Sequence, residues 1–165
     1  TAPSLPPLPE LLPLAAAAEA AREDGDAQEL EELALRFAGA VAATLAGSKP
    51  RSHAPSASAE RRIALALRRI EAQACEPLSL DELASAAAMS PYHFLRTFRA
   101  VVGMTPHQFV LHRRMHHAAV RLRRSKDSIS AIALDCGFAD LSTFNRRFRR
   151  IMKQSPGAYR AAVRD

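Results

Sequence analysis

The sequence predicts an all-α protein in which helices pack on helices. Leucine and alanine dominate the chain, hydrophobic residues make up 48% of it, and tryptophan is absent. No segment alternates with period two in the Val, Ile, Thr and Tyr residues that favour strands. Apolar residues instead recur at helical spacings between proline, glycine and capping residues. We therefore expect a helical hairpin at 1–47, a linker at 48–58 and a larger helical domain at 59–165.

Two helices joined by a short turn account for the N-terminal segment. The run 10–23 is a strong helix former with Pro13 in its first turn. Asp26, three residues before a glutamate, is the predicted N-cap of the second helix, and Gly47 is its predicted stop. An antiparallel hairpin of this size cannot bury an apolar face alone. A further domain, the rest of this chain or a second copy of the hairpin could cover it, and we predict self-association through this face. The predicted dimerisation residues are Leu30, Leu33, Phe37 and Val41, and Leu45 ends the same stripe.

The linker at 48–58 is predicted from its Ser, Pro and Ala content and from its lack of an apolar period. Charge changes sign across it. Residues 1–59 hold 4 Lys/Arg against 8 Asp/Glu, whereas residues 60–165 hold 19 against 9. The whole chain carries +6, and the basic C-terminal part suits a polyanionic partner.

Local signals set the helix boundaries after the linker. Ser79 and Glu82 form a predicted capping box, Pro91 and Pro106 suit first turns, and Gly103 suits a helix end. The predicted helices are one ending near Glu76, a short one from Leu80, one at 91–102, a long one from Thr105 to Arg124, a short one from Ser128 to Gly137, one at 141–152 and a last one after Ser155.

An internal repeat organises this domain. The segment LDELASAAAMSPYHFLRTF aligns with ISAIALDCGFADLSTFNRRF. Phe94 and Phe98 of the first copy align with Phe144 and Phe148 of the second at an offset of 50. A short helix, a tight turn and a second helix with an inward aromatic pair form the pattern of a helix-turn-helix. The sequence therefore predicts two helix-turn-helix units joined by a long connecting helix.

Each predicted second helix carries arginines opposite its aromatic pair. With Phe94 or Phe144 set at 0° and about 100° per residue, the two arginines of each helix fall at about 140° and 200°. No acidic residue occurs between Tyr92 and Val110 or between Asn145 and Lys153, although a purely solvated face would usually mix both signs. The outward stripes are Tyr92, Arg96 and Arg99 in the first copy and Ser142, Arg146 and Arg149 in the second.

These stripes predict that the partner is double-stranded DNA. A guanidinium donates two hydrogen bonds to guanine in the major groove, which discriminates by about 1–3 kcal/mol. The connecting helix, with some 20 residues, is roughly 30 Å long, close to the roughly 34 Å between successive major-groove faces. We predict that the helices at about 91–102 and 141–152 enter adjacent major grooves. Predicted phosphate contacts are Ser90, His93, Thr143, Arg147, Arg149, Arg150 and Lys153.

The segment from about Glu60 to Arg164 resembles the DNA-binding region of AraC/XylS-type bacterial transcription regulators. The resemblance rests on PLSLDELASAAAMSPYHFLRTFRAVVGMTPHQFV, RRMHHAA and SISAIALDCGFADLSTFNRRFRRIMKQSPGAYR. It implies seven helices in this region, and it implies that the second helix of each unit reads bases. The base-reading residues carried over by position are Tyr92, Leu95, Arg96, Arg99, Leu141, Ser142, Asn145 and Arg146. The helical wheel places Leu141 nearer the buried side, so its direction stays open.

The chain departs from the family pattern at two positions. Lys153 stands where the family usually has glycine, and Arg121 stands where an apolar residue is usual. Family members usually carry an N-terminal domain that binds a small-molecule effector and dimerises. The resemblance implies that an effector acts only through that domain, which is absent here, and that the hairpin is its helical tail.

Other chemistries have weaker support in the sequence. His112 and His116 are four residues apart, but no third ligand has metal-site spacing, so we predict no metal and no cofactor. Cys75 and Cys136 lack a CxxC spacing and are read as free thiols, with a disulfide or redox pair as the alternative. No catalytic motif occurs, so we predict no enzyme. No run reaches the about 18 apolar residues of a membrane span, and we expect a cytoplasmic, nucleoid-associated protein. The alternative function is a module that docks on RNA polymerase or another acidic partner, with non-specific DNA contact.

Overall fold

The computed structural model describes residues 11–46 and 54–162, and every regular element in these ranges is a helix. The predicted all-α fold class is confirmed. The chain divides into two compact units, residues 1–55 and 56–165. The predicted stop at Gly47 and most of the predicted linker lie outside the described residues. The helices are α1 (Leu12–Glu23), α2 (Ala27–Leu45), α3 (Ala57–Gln73), α4 (Leu80–Ala86), α5 (Pro91–Val102), α6 (Pro106–Arg124), α7 (Ile129–Asp135), α8 (Leu141–Met152) and α9 (Pro156–Ala161).

The N-terminal unit is an α1–α2 hairpin. The amide of Glu29 donates to the Asp26 carboxylate at 3.0 Å, which caps α2 as predicted. Leu33 is buried. Phe37 is 42% exposed and Leu45 is 73% exposed, so the apolar stripe of α2 keeps solvent-facing surface.

Helix α3 begins earlier than the sequence predicts. Ser56 is its N-cap and accepts a hydrogen bond from the amide of Ala59 at 3.2 Å. The predicted linker therefore ends before Ala57 rather than at residue 58, because a serine cap overrides the lack of apolar periodicity in the first turn.

Helices α4 and α5 form the first helix-turn-helix, which we call the first motif. Helix α3 packs against both of them. The predicted capping box of α4 is present. The amide of Ser79 donates to Glu82 Oε2 at 2.8 Å, and the amide of Glu82 donates to Ser79 Oγ at 3.2 Å. Phe94 and Phe98 are fully buried with ring centroids 5.6 Å apart. The repeat thus marks the core of the first motif correctly.

The second motif (α7–α8) packs with α9 against α6. Its aromatic rings form a continuous series, with centroid distances of 5.3 Å from Phe138 to Phe144, 5.6 Å to Phe148 and 5.6 Å to Tyr159. Met115 is one of the large buried residues on the α6 side of this core. Remaining buried members of the cluster are Ala118, Ala119, Leu122, Ile132, Ala133 and Cys136.

Left-handed backbone positions recur in both motifs. The turn between the helices has φ +52° at Ala88 and +82° at Gly137, and the residue after the second helix has φ +85° at Gly103 and +62° at Lys153. Glycine tolerates this region, whereas other L-residues are strained by it. The first motif therefore has a strained alanine in its turn and a glycine after its second helix. The second motif has a glycine in its turn and a strained lysine after its second helix.

Arg121 on α6 makes two ion pairs. Its Nη1 lies 2.7 Å from Asp135 Oδ2, and its Nη2 lies 2.7 Å from Asp127 Oδ2. The hydrogen bond from Arg121 lowers the pKa of Asp127. This interaction ties the end of α6 to α7 and to the loop between them.

Candidate nucleic-acid interface

The two outward stripes lie on corresponding surfaces of α5 and α8. Arg96 and Arg99 are exposed on α5, and Arg146 and Arg149 are exposed on α8. Tyr92 is 37% exposed at the start of α5, and its counterpart in the second motif is also exposed. The opposite face of each helix holds the fully buried phenylalanine pair. The folded chain thus presents each arginine pair on the side of its helix away from the core.

The start of α8 adds short side chains to this surface. Leu141 is 39% exposed, and Ser142 is exposed beside it. Asn145 and Thr143 are half-buried. The side chain of Leu141 is therefore accessible, which answers the question of direction that the helical wheel leaves open.

Two residues of the predicted contact set have buried side chains. Leu95, predicted to read bases, is 1% exposed, and Arg147, predicted to bind phosphate, is 3% exposed. Side chains with so little surface cannot reach a base edge or a phosphate in this conformation. Helix α5 packs against both α3 and α4, and α8 packs against α6, α7 and α9. Because α5 and α8 each contact several helices, residues on either side of the phenylalanine pair are buried as well as the pair itself.

Apart from the half-buried Thr143, the remaining predicted phosphate contacts lie on exposed surface around the two helices. Ser90 is the N-cap of α5 and accepts from the amide of His93 at 3.4 Å. Lys153 follows α8 in the left-handed conformation. The exposed members of the set are Ser90, His93, Arg149, Arg150 and Lys153.

Asp140 is an acidic group at the edge of this basic surface that the sequence analysis did not single out. Its carboxylate caps α8 and accepts from the amide of Thr143 at 2.7 Å. Hydrogen bonds from the Thr143 amide, and then from the Thr143 side chain, lower the pKa of Asp140, and Arg146 lowers it further. The corresponding position of the first motif is Ser90, so α5 and α8 begin with caps of different charge. The Asp-x-x-Thr spacing before α8 is the sequence signal that could have identified it.

Arg114 on α6 connects the end of α3 to the turn of the second motif and was also missed by sequence reasoning. Its Nε donates to the carbonyl of Ala74 at 2.6 Å, Nη2 to that of Glu76 at 3.0 Å and Nη1 to that of Gly137 at 3.1 Å. The guanidinium carbon lies 6.0 Å from the ring centroid of Phe138. All three acceptors are backbone carbonyls, which leave no signal in the sequence.

The paired histidines of α6 and the two cysteines differ in exposure. His112 and His116 are exposed on α6. Cys75 and Cys136 are free thiols, half-buried and buried respectively. Burial, followed by the neighbouring Cys75, raises the pKa of Cys136 to about 12. Over the described parts of the chain, no helix combines the length and apolarity that a bilayer crossing requires.

Known proteins match the part of the chain that contains these motifs. The helix-turn-helix domain family matches residues 83–162. The regulatory protein SoxS of Salmonella typhimurium is 36% identical over 85 residues, which cover 52% of this chain and 79% of SoxS. The transcriptional regulator MtrA of Neisseria gonorrhoeae is 38% identical over 82 residues, which cover 50% of this chain and 27% of MtrA. The chain thus matches about a quarter of MtrA's length.

Solved structures match the same region. An AraC-type regulator from Chromobacterium violaceum superposes with a TM-score of 0.61 at 29% identity, over 66% of this chain and 96% of that one. The DNA-binding domain of AdpA, solved in complex with a target DNA, gives a TM-score of 0.55 at 34% identity, over 66% of this chain and 95% of that one. The two motifs, the arrangement of their helices and the identity to SoxS together place the chain in the AraC family of helix-turn-helix transcription regulators.

Proposed function

We propose that this chain is a sequence-specific, double-stranded DNA-binding transcription regulator that inserts α5 and α8 into adjacent major grooves. The observation that carries the proposal is the repeated exposed arginine pair. Arg96 and Arg99 occupy the same helical positions in the first motif as Arg146 and Arg149 do in the second. Two copies of one surface, on two helices held by one connecting helix, fit two successive segments of a regular duplex.

The chemistry of the exposed side chains assigns them to different contacts. Arg96 and Arg146, with Tyr92, Arg99, Leu141, Ser142 and Asn145 around them, form the proposed base-reading set. Guanidinium groups pair with guanine edges, and the Leu141 side chain suits the methyl group of thymine. Lys153 and the other exposed residues at the helix ends are proposed to bind phosphates, which set affinity and salt dependence.

The test begins with selection of bound sites from random duplex DNA. Arg96→Ala and Arg146→Ala should each relax the base preference, at different positions of the selected site, by about 1–3 kcal/mol. Lys153→Ala should weaken binding to all duplexes nearly equally and reduce the salt slope by about 1. Arg123→Ala, an exposed residue of α6 outside both reading helices, is the control and should leave the preference unchanged.

Binding that ignores sequence in the wild-type protein would refute sequence-specific recognition. It would favour the second candidate function, a module that docks on RNA polymerase or another acidic partner. One observation supports such a contact beside DNA binding, because Leu134 on α7 is 68% exposed and lies outside both reading helices. If Leu134→Ala lowers transcription from a bound promoter without changing DNA affinity, α7 contributes a protein contact.

We also propose that the N-terminal hairpin mediates homodimerisation. Phe37 is 42% exposed on α2 within the apolar stripe that also contains Leu30 and Val41. Phe37→Glu should shift the sedimentation coefficient from dimer to monomer, while Ala38→Glu, the same charge on an adjacent exposed position, should not. A monomeric wild-type protein at high micromolar concentration would contradict the proposal. A DNA-binding regulator of this kind would act in the bacterial cytoplasm at the nucleoid.

A further inference from the structure

Besides α6, a contact between loop segments joins the end of α3, which packs on the first motif, to the second motif. We call it the inter-motif contact, formed by residues 74–76 at the end of α3, Arg114 of α6 and residues 136–138 in the turn of the second motif. Cys75 packs against the core of the second motif, and among the described residues of that cluster it alone precedes α6. The end of α3 therefore touches the second motif directly.

Arg114 contributes most of the polar bonds of this contact. Ala74 is the C-cap of α3, and the last carbonyls of a helix lack partners within the helix. The guanidinium donates to two carbonyls on that side, those of Ala74 and Glu76, and to one on the other side, that of Gly137. A positive charge also suits the C-terminal end of α3. One rigid planar group thus fixes the distance between α3 and the second turn.

Close backbone packing leaves little freedom around these bonds. A Cβ placed on Gly137 would lie 2.6 Å from the Cys75 carbonyl oxygen and 3.1 Å from the Arg114 guanidinium carbon. The turn of the second motif thus lies so close to the backbone after α3 that only glycine fits at position 137 without displacing its neighbours. The Phe138 ring lies beside the same guanidinium, and Phe138 packs on Phe144 of the reading helix α8.

We infer that Arg114 is a positioning residue that sets the spacing of the two reading helices, and hence the number of base pairs between the two elements of the DNA site. This inference rests on the proposed function. One base pair added between the elements rotates the second by about 34–36° and moves it by about 3.4 Å. A pair of motifs held rigidly can follow one spacing only, whereas a loosely held pair accepts several with lower affinity for each.

Lysine is the informative replacement for Arg114. It keeps the charge and most of the aliphatic stem, but its ammonium is a compact point charge that cannot reproduce the planar, divergent donors of a guanidinium. Arg123→Lys on the exposed surface of α6 is the matched control. Arg114→Gln, which retains donors for fewer carbonyls, is the second variant.

The experiment measures Kd for each protein on four duplexes. They carry the selected site, that site with one base pair inserted between its elements, the site with one base pair deleted there, and the site with its second element scrambled. Wild type and Arg123→Lys should prefer the selected spacing. If loosening leaves about a tenth of Arg114→Lys molecules correctly positioned, its affinity for the selected spacing should fall about tenfold, with no loss on the altered spacings or on the scrambled duplex. Arg114→Gln should behave likewise.

Two results of the binding experiment would overturn the inference while leaving the proposed function intact. One is an Arg114→Lys protein that keeps the wild-type ratio of affinities among the three spacings. The other is an equal loss on all four duplexes, the scrambled one included, because a general defect in folding or charge would produce it. Backbone amide relaxation by NMR gives a readout independent of DNA, and separate tumbling of the two motifs is expected only in the Arg114 variants. Unchanged joint tumbling in both variants would also overturn the inference. Failure of wild type to select any sequence would instead refute the proposed function.

Discussion

Substituting alanine for glycine at two positions tests how closely the second motif packs against α3. Gly103 and Gly137 have nearly the same backbone conformation, with φ of +85° and +82°. A Cβ on Gly103 would have no neighbour within 4 Å, whereas a Cβ on Gly137 would lie 2.6 Å from the Cys75 carbonyl oxygen. The two substitutions therefore share the conformational cost and differ in the steric one.

The expected magnitudes follow from these two contributions. A non-glycine residue in the left-handed region costs about 1–2 kcal/mol, and the restricted unfolded chain offsets about 0.4–1 kcal/mol of that. Gly103→Ala should therefore lower the free energy of unfolding by about 1 kcal/mol. Forcing an atom into a filled space adds about 1–3 kcal/mol, so Gly137→Ala should lower it by about 2–4 kcal/mol.

Urea denaturation followed by circular dichroism measures both free energies of unfolding in the same chain. The comparison is valid where the m-values of the two variants agree with that of the wild type, because equal m-values indicate that the same surface is exposed on unfolding. Equal destabilisation by the two substitutions, or a larger effect at Gly103, would refute the close approach between the second turn and α3.

Three further predictions concern single side chains. Lys153→Gly should raise the free energy of unfolding by about 0.5 kcal/mol in urea denaturation, because glycine removes most of the left-handed strain but gives a more flexible unfolded chain. Asp140→Asn should keep the cap of α8 and make stability less dependent on pH in acid. The pKa of Asp140 is lowered from 3.8, so its contribution is complete above about pH 4 and is lost as the pH falls through the lowered pKa. Burial raises the pKa of Cys136 to about 12 and removes the thiol from solvent, so a thiol reagent should modify Cys136 only after urea unfolding.

Each of these predictions has a contradicting result. A less stable Lys153→Gly protein would mean that the lysine side chain makes a stabilising contact that outweighs the strain. Parallel stability curves of wild type and Asp140→Asn between pH 2 and pH 6 would show that the carboxylate is not linked to folding. Rapid labelling of Cys136 in the native protein, detected by mass spectrometry, would contradict its burial.

The helix boundaries could be predicted from the sequence because capping residues act locally. Ser79, Thr105 and Ser128 cap the helices that follow them, and a cap acts within four residues of its own position. The repeat adds the long-range information, because matching phenylalanines mark matching cores. Helix α3 begins at Ala57, before the predicted end of the linker, and the prediction missed this because the first turn of the helix carries a cap and small residues but no apolar period.

The candidate interface was less predictable where side chains depend on several neighbours. Arg96 and Arg146 lie on the face opposite the core, where one helical wheel is sufficient. Leu95 and Arg147 lie at the flanks of their helices, and only the packing of adjacent helices determines that both are buried. Arg114 was missed for a related reason, since its partners are carbonyls of residues far away in the sequence.

The exchanged glycines of the two motifs have a consequence for recombination and engineering. The first motif has alanine in its turn and glycine after α5, whereas the second has glycine in its turn, against the Cys75 backbone, and lysine after α8. The duplicated motifs are therefore not interchangeable cassettes. Chimaeras that graft only the solvent-facing residues of α5 or α8 should fold and transfer binding preference. Chimaeras that place the whole first motif in the second location would bring Ala88 against α3 and should misassemble.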